Sequence, residues 1–472
     1  MQLGRSPHLT FARMARRYGD VFQIRLGRYD IVVLNGEAAI RQALVKQSAQ
    51  FAGRPDFASF RAVSGGRSVA FGRYGAAWRA HRRMAQATVR AFCAADGRTG
   101  RLFEQHVARE ATDLVREFLR LGARGSGGGG DGGGGFDPSR EIVVANANVL
   151  CALCFGQRYG HGDAEFRDLL GRIERFGQTV GAGSLVDVMP WLQAFPNPVR
   201  TLYRDFKRLN QEFFGFVSGK VGQRRRTFVP GRTRDMSDAF IAVVDGAAAA
   251  GHGLSGEHVE GTVNDVMGAG QDTTSTALGW VLFHLIRHPD VQARLQEEMD
   301  RAVGRGRLPG TGDRGRLPYL QAFIHEVCRF TSFVPLTIPH ATTSRVTLHG
   351  YDLPEDTVVF VNQWSVNHDG AKWKEPETFE PGRFLDPDGS VNRALADSVM
   401  IFSAGKRRCL GDQLAKTQMF LFTAILIHQC AFEANPGDVL SLDCLYGLSL
   451  KPLPFKLRVR LRDTYRGVGS PA

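Results

Sequence analysis

Residues 256 to 286 carry one unbroken helical pattern with no proline in it. At 1.5 Å per residue such a helix is about 45 Å long. A rod of that length requires a large body around it, and it makes the fold class mainly α. Amphipathic helical periods fill most of the remaining chain. The β signals are few and lie towards the ends. VFQIRL (21–26) and IVVLN (31–35) flank the turn residues Gly27 to Asp30 and predict a hairpin. VTLHGYDLP (346–354) and TVVFVNQ (357–363) form a late β region, expected to pair with the early one across the sequence. One integrated unit over 1–472 is therefore expected.

Charge narrows the partners. Sixty Lys and Arg against 47 Asp and Glu give a formal net charge of +13, which suits an anionic membrane, an acidic protein or nucleic acid. The basic residues are scattered at helical spacing with no nucleic-acid signature, so no nucleic-acid partner is expected. QRRRTF (223–228) reads as a solvated helix end, with contact with a membrane surface as the alternative. No run of 18 apolar residues suggests a membrane span. The seven cysteines are odd in number and irregularly spaced, unlike a disulfide framework. Cys151 and Cys154, in CALC, have redox-motif spacing but lack a preceding strand, and read as packing. GSGGGGDGGGG (125–135) is expected to be a flexible surface loop; no Gly-Lys-Ser/Thr follows it to make a phosphate loop.

The chemistry concentrates in FSAGKRRCLG (402–411). Cys409 there is either a buried thiol in a bent loop or a thiolate that holds a metal. Gly405 and Gly411 permit a turn and a close approach to a flat cofactor. Basic neighbours would lower the thiol pKa, Arg407 could pair with a cofactor carboxylate, and Phe402 could shield the sulfur. The helix that follows would aim its N-terminal dipole at the thiolate.

These residues match the haem-binding signature of the cytochrome P450 superfamily, and the chain resembles that family through three further motifs in order. HEVCRF holds Glu326 and Arg329 on one helical face, with Arg383 of FEPGRF as third member of a structural triad; Gly382 replaces the usual glutamate there. AGQDTT (269–274) would loosen the long helix beside the metal and supply Asp272 and Thr273 as a proton-delivery pair. WRAHR places Trp78 and Arg82 four residues apart, where relatives donate hydrogen bonds to a haem propionate, and Arg54 is expected to reach the same propionates. The resemblance implies the P450 fold, with haem b between the long helix and the helix after the cysteine loop, Cys409 as axial ligand, and O2 as co-substrate.

Longer stretches, among them FASFRAVSGGRSVAFG (57–72) and FVPLTIPHATT (333–343), resemble subfamily B of the vertebrate microsomal family 1. That implies a monooxygenase with a narrow pocket for polycyclic aromatic hydrocarbons, oestrogens and other steroids, retinoids and fatty acids. Its cavity positions fall on Phe60, Phe71, Phe176, Asn210, Phe213, Ala269, Gly270, Leu336 and Leu448. Ile173 stands where the subfamily carries a hydrogen-bonding Asn. Electrons would come from NADPH through an acidic flavoprotein reductase, or a cytochrome b-type donor, docking near Arg79, Arg83, Lys406 and Arg408. The implied location is the cytoplasmic face of the endoplasmic reticulum membrane, with mitochondria as a minor site and the membrane anchor of relatives expected to be missing. The alternatives are a haem-thiolate dehydratase or isomerase of lipid hydroperoxides and a non-enzymatic haem-binding module.

Overall fold

The expected rod is present. Gly256–Arg287 is a single α-helix that begins at a capping box: the Ser255 amide donates to His258 Nδ1 at 3.0 Å. It ends at His288, before Pro289, where the pattern stops. The computed structural model describes residues 3–94, 97–124, 135–160, 162–179, 185–249 and 254–462.

Every residue from Thr276 to Ile286 is buried, so the C-terminal third of the rod is enclosed by other elements. Helix Ser139–Phe155 packs on one side and helix Asp412–Gln429 on another. Both are buried nearly all round, which explains why neither is strongly amphipathic. Asn146 holds the three together. Its Nδ2 donates to Gly270 O at 3.1 Å and Gln271 O at 3.0 Å, while its Oδ1 accepts from Gln418 at 3.3 Å. A buried amide needs such partners. Cys151 and Cys154 are fully buried in this packing, and burial pushes the Cys151 thiol up to about 12. They are packing residues.

The early and late β regions do join. Strand Val21–Leu26 pairs antiparallel with Tyr29–Leu34, which pairs parallel with Val358–Val361, and His340–Ala341 completes a four-stranded sheet. The register sets Ile31 against Val358 and Leu34 against Val361. Val346–Leu348 and Tyr351–Leu353 instead make their own small hairpin. Two further pairs escaped the sequence reading: Cys430–Ala434 with Leu457–Leu461, and Cys444–Tyr446 with Leu450–Pro452. Residues 125–134 of the glycine tract lie outside the described residues. The end of helix Pro198–Arg226 is solvated as expected, with Gln223, Arg225, Arg226 and Thr227 exposed and Arg225 in a surface pair with Asp245 at 3.0 Å; Arg224 alone reaches a buried partner, Asp235, at 2.8 Å.

Candidate active site

The cysteine loop closes on itself: Cys409 N donates to Phe402 O at 2.8 Å. Gly405 takes φ +68°, and a Cβ there would lie 1.7 Å from Leu44 O. Its required close approach is thus to the turn Gln42–Lys46 and not to a cofactor. Gly411 has ordinary φ −94°, and a Cβ there would meet nothing within 4 Å. Phe402 contributes its carbonyl to the loop, while Lys416 Nζ sits 5.5 Å from its ring centroid.

Cys409 is accessible although it lies deep in the protein, as the wall of an internal space would be. The expected lowering of its thiol pKa is not found. Burial pushes it up, with Asp412 adding to the rise, and the Gly411 amide, Arg82 and Arg408 oppose this without reversing it. A coordinated metal deprotonates such a thiol directly.

Three guanidinium groups gather beside this loop. Arg407 donates to Ala52 O at 2.8 Å, Val69 O at 3.1 Å and Gly72 O at 2.6 Å, and stacks 3.9 Å from the Trp78 ring centroid. Arg54 donates to Ala70 O and Ile338 O at 2.9 Å and to Pro339 O at 2.8 Å. Arg82 donates from Nη2 to Arg408 O. Trp78 Nε1 is directed to Val69 O at 2.9 Å, not outward as expected. Burial, together with the neighbouring Arg82 charge, lowers Arg54 to about 9, and burial together with the Arg54 and Arg82 charges lowers Arg407 to about 8. Among the described residues, neither Arg54 nor Arg407 forms a salt bridge with a carboxylate. A cationic cluster of this kind calls for anions. The two propionates of a haem have that chemistry, so the residues present fit the group.

Beneath the loop the expected triad is assembled. Glu326 Oε2 accepts from Arg329 Nε at 2.7 Å and its Oε1 from Arg329 Nη2 at 2.8 Å. Arg383 Nε adds a third contact at 3.1 Å. Glu326 and Arg329 are wholly buried, so this is not the weak surface pair that spacing alone allows. Arg329 also donates to Asn367 O and Pro376 O at 2.9 Å, gathering the chain segments that lead to the cysteine.

On the long helix the outcome is mixed. Ala269 is exposed in the middle of a largely buried helix, so it faces an accessible space. The Gly270 Cβ direction meets Leu150 Cδ2 at 3.2 Å, so this glycine serves helix packing and does not widen the pocket. The helix stays regular, and Thr273 Oγ1 donates to Ala269 O at 2.8 Å. Asp272 turns away from that hydroxyl. It accepts from Ser449 Oγ at 2.6 Å and pairs with Lys451 Nζ at 2.7 Å.

The aromatic positions partly converge. Phe60 and Phe71 lie 4.8 Å apart at 49°, and Phe57 packs on Phe60 at 5.2 Å. Leu336 belongs to the same cluster as Phe60. The Phe213 ring faces Gly268 on the long helix, where an added Cβ would lie 3.8 Å from it. Leu448 is exposed beside Ser449. Asn210 is buried and donates to Phe206 O at 2.8 Å, so its amide N–H serves its own helix. Ile173 packs against the main core. The Phe176 side chain lies outside the described residues.

Three residues were missed. Ser449 and Lys451 lack any motif, and Asp265 carries no signal except a carboxylate on the long helix.

The cytochrome P450 family model matches residues 1–459. Cytochrome P450 1B1 of Rattus norvegicus is 55% identical over 99% of this chain and 86% of its own length. The Homo sapiens protein of the same name is 54% identical over 98% and 85%. A solved zebrafish cytochrome P450 with progesterone superposes at TM-score 0.84, with 29% identity over 97% of this chain and 99% of that one. This resemblance extends to family 1, subfamily B, and it carries a haem with cysteine thiolate ligation, O2 and electrons supplied from NADPH through a redox partner. The chain belongs to the cytochrome P450 family and is a haem-thiolate monooxygenase acting on hydrophobic substrates.

Proposed function

We propose that the chain, as one catalytic unit over 1–472, inserts one oxygen atom into flat polycyclic substrates: aromatic hydrocarbons, oestrogens and retinoids. The observation that carries this is the Phe60–Phe71 ring pair, taken with the accessible Ala269 on the long helix. Aromatic walls favour a planar ligand through stacking as well as burial. Cys409 would ligate the haem iron through its thiolate, and Arg54, Arg82 and Arg407 would hold the propionates, with Trp78 bracing Arg407. The chemistry that the bound group would supply is activation of dioxygen, with one atom going to the substrate and the other, with two electrons and two protons, to water. Phe60, Phe71, Phe213, Leu336 and Leu448 orient the substrate and exclude water. The lipid-hydroperoxide and haem-carrier alternatives are not favoured, since neither needs Asp272 or Thr273.

Thr273 Oγ1, anchored on Ala269 O, holds a proton beside the reacting space. Asp272 relays the proton that replenishes it, after a change of rotamer away from Ser449 and Lys451. Acid–base groups of this kind contribute roughly 100-fold or more. With reductase, NADPH, a planar substrate and labelled dioxygen, the product gains one labelled atom. Asp272→Asn lowers turnover by about 100-fold with KM little changed. Thr273→Val diverts reducing equivalents from product to peroxide. Unchanged coupling of NADPH use to product in both variants contradicts the assignment.

The electron donor is an acidic flavoprotein reductase, with a cytochrome b-type protein as second donor. Arg79, Arg83, Lys406 and Arg408 are all exposed on the cysteine side, which supports docking there. Reduction is expected to slow several-fold as salt rises beyond about 0.15 M, where the screening length is about 8 Å. A rate indifferent to ionic strength removes this surface from consideration. Among the described residues no helix is long and apolar enough to cross a membrane. Exposed Leu185, Trp191, Phe195 and Leu202 lie close in sequence and support contact with a membrane surface. The proposed location is the endoplasmic reticulum membrane. A membrane-free distribution of the full-length protein on fractionation is the result that excludes it.

A further inference from the structure

Asp265 carries a half-buried carboxylate that the proposed oxygen chemistry does not use. Asp265, two turns before Asp272 on the long helix, has no cationic partner among the described residues. It accepts instead from one short loop. Its Oδ1 takes Ser64 Oγ at 2.6 Å and Ser68 Oγ at 3.0 Å. Its Oδ2 takes Ser68 Oγ at 2.8 Å, Val69 N at 2.7 Å and Ala70 N at 3.1 Å. A carboxylate accepting so many donors is a strong anchor.

The loop it holds is an unusual one. Ser64, Gly65 and Gly66 have φ of 54°, 58° and 79°, three left-handed residues in succession. Ser64 is not a glycine, so its conformation needs outside support. Asp265 gives it, together with Asn264 Nδ2, which donates to Ser64 Oγ at 2.9 Å. Gly261, one turn earlier on the long helix, lets Arg67 O approach: a Cβ there would lie 2.4 Å from it.

The same peptides are gripped from their other side. Val69 O accepts from Trp78 and Arg407, and Ala70 O accepts from Arg54. The peptide joining Val69 to Ala70 thus runs between the half-buried Asp265 carboxylate, to which its Ala70 N–H donates, and Trp78 and Arg407, from which its Val69 carbonyl accepts. Its dipole is aligned with both, which strengthens each hydrogen bond. Phe71 follows at once, its amide donating to Ser68 Oγ at 3.0 Å. Phe71 therefore cannot move away from the long helix while Asp265 holds Ser68, Val69 and Ala70.

We propose that Asp265 is a positioning residue for specificity: it fixes the aromatic wall at a set distance from the long helix and so makes the pocket a slot that favours flat over thick substrates. This rests on the reading of Phe60, Phe71 and Ala269 as the substrate site. An amide at 265 keeps the shape but lets only one of its two terminal atoms accept, so the amide or hydroxyl donors on the other atom are released.

The experiment compares holoenzymes of the wild type, Asp265→Asn and Ser68→Ala. Pyrene, which is planar, and diamantane, a cage hydrocarbon of similar carbon count, are titrated by their effect on the haem spectrum. Haem content and the reduced carbon-monoxide spectrum are measured in parallel. The wild type is expected to prefer pyrene. Asp265→Asn lowers the pyrene-to-diamantane affinity ratio about ten-fold while the haem signature is unchanged. Ser68→Ala lowers it about three-fold and decides the matter if Asp265→Asn takes up no haem. A ratio equal to wild type in a haem-loaded variant overturns the role of Asp265. A wild type with no preference for pyrene overturns the flat-substrate reading and this proposal with it.

Discussion

Glu326→Ala is expected to destabilise the protein by about 3–5 kcal/mol, the usual cost of stripping one partner from a buried ion pair, and to yield little haem-loaded material. The reason lies in what remains. Arg329 is wholly buried, and its guanidinium has lost the bidentate acceptor while still tied to Asn367 O and Pro376 O. Arg383 Nε and the Glu380 amide, at 3.1 and 2.8 Å from Glu326, lose an acceptor as well. Glu326→Gln keeps one carbonyl acceptor and should fall between the two. Arg329→Lys should not rescue the native state, since an ammonium cannot reproduce the fork. Chemical denaturation with haem content as a second readout checks this. An Ala variant within about 1 kcal/mol of the parent means that the layer is not what supports the loop.

The second large effect is chemical and leaves the fold alone. Cys409→Ser is expected to lower NADPH-driven product formation by more than about 100-fold, because a hydroxyl does not replace a thiolate as a soft, electron-donating ligand. The loop itself should survive. Its closing bond is from backbone to backbone, Cys409 N to Phe402 O, and Arg407 remains clamped on Ala52, Val69 and Gly72. Unfolding near the parent's midpoint, together with lost turnover, separates this variant from Glu326→Ala.

The contrast between these variants also shows where the sequence was informative. Local spacing revealed the long helix within one residue at its C-terminal end, and the first hairpin. It placed Glu326 and Arg329 on one face. What spacing could not give was the partner across the fold. Asp272 was read with its neighbour Thr273, yet its bonds run to Ser449 and Lys451, some 180 residues on. Gly405 and Gly270 were read as making room for ligands. The space that they make is taken by Leu44 O and Leu150. The Cys409 thiol was expected to be lowered by charge, but burial outweighs its basic neighbours. The late strand Leu457–Leu461 alternates visibly, but its pairing with Cys430–Ala434 depends on the end of a preceding helix. Asp265 illustrates the same limit, since its donors come from a loop 195 to 201 residues earlier.

The central claim is that the Cys409 sulfur holds the iron. The most direct test is the absorption spectrum of the reduced, carbon-monoxide-bound protein beside that of Cys409→Ser. The account predicts a Soret band far to the red of histidine-ligated haem, and its loss in the variant. A histidine-like band in the parent, or a red-shifted band that survives the substitution, contradicts it.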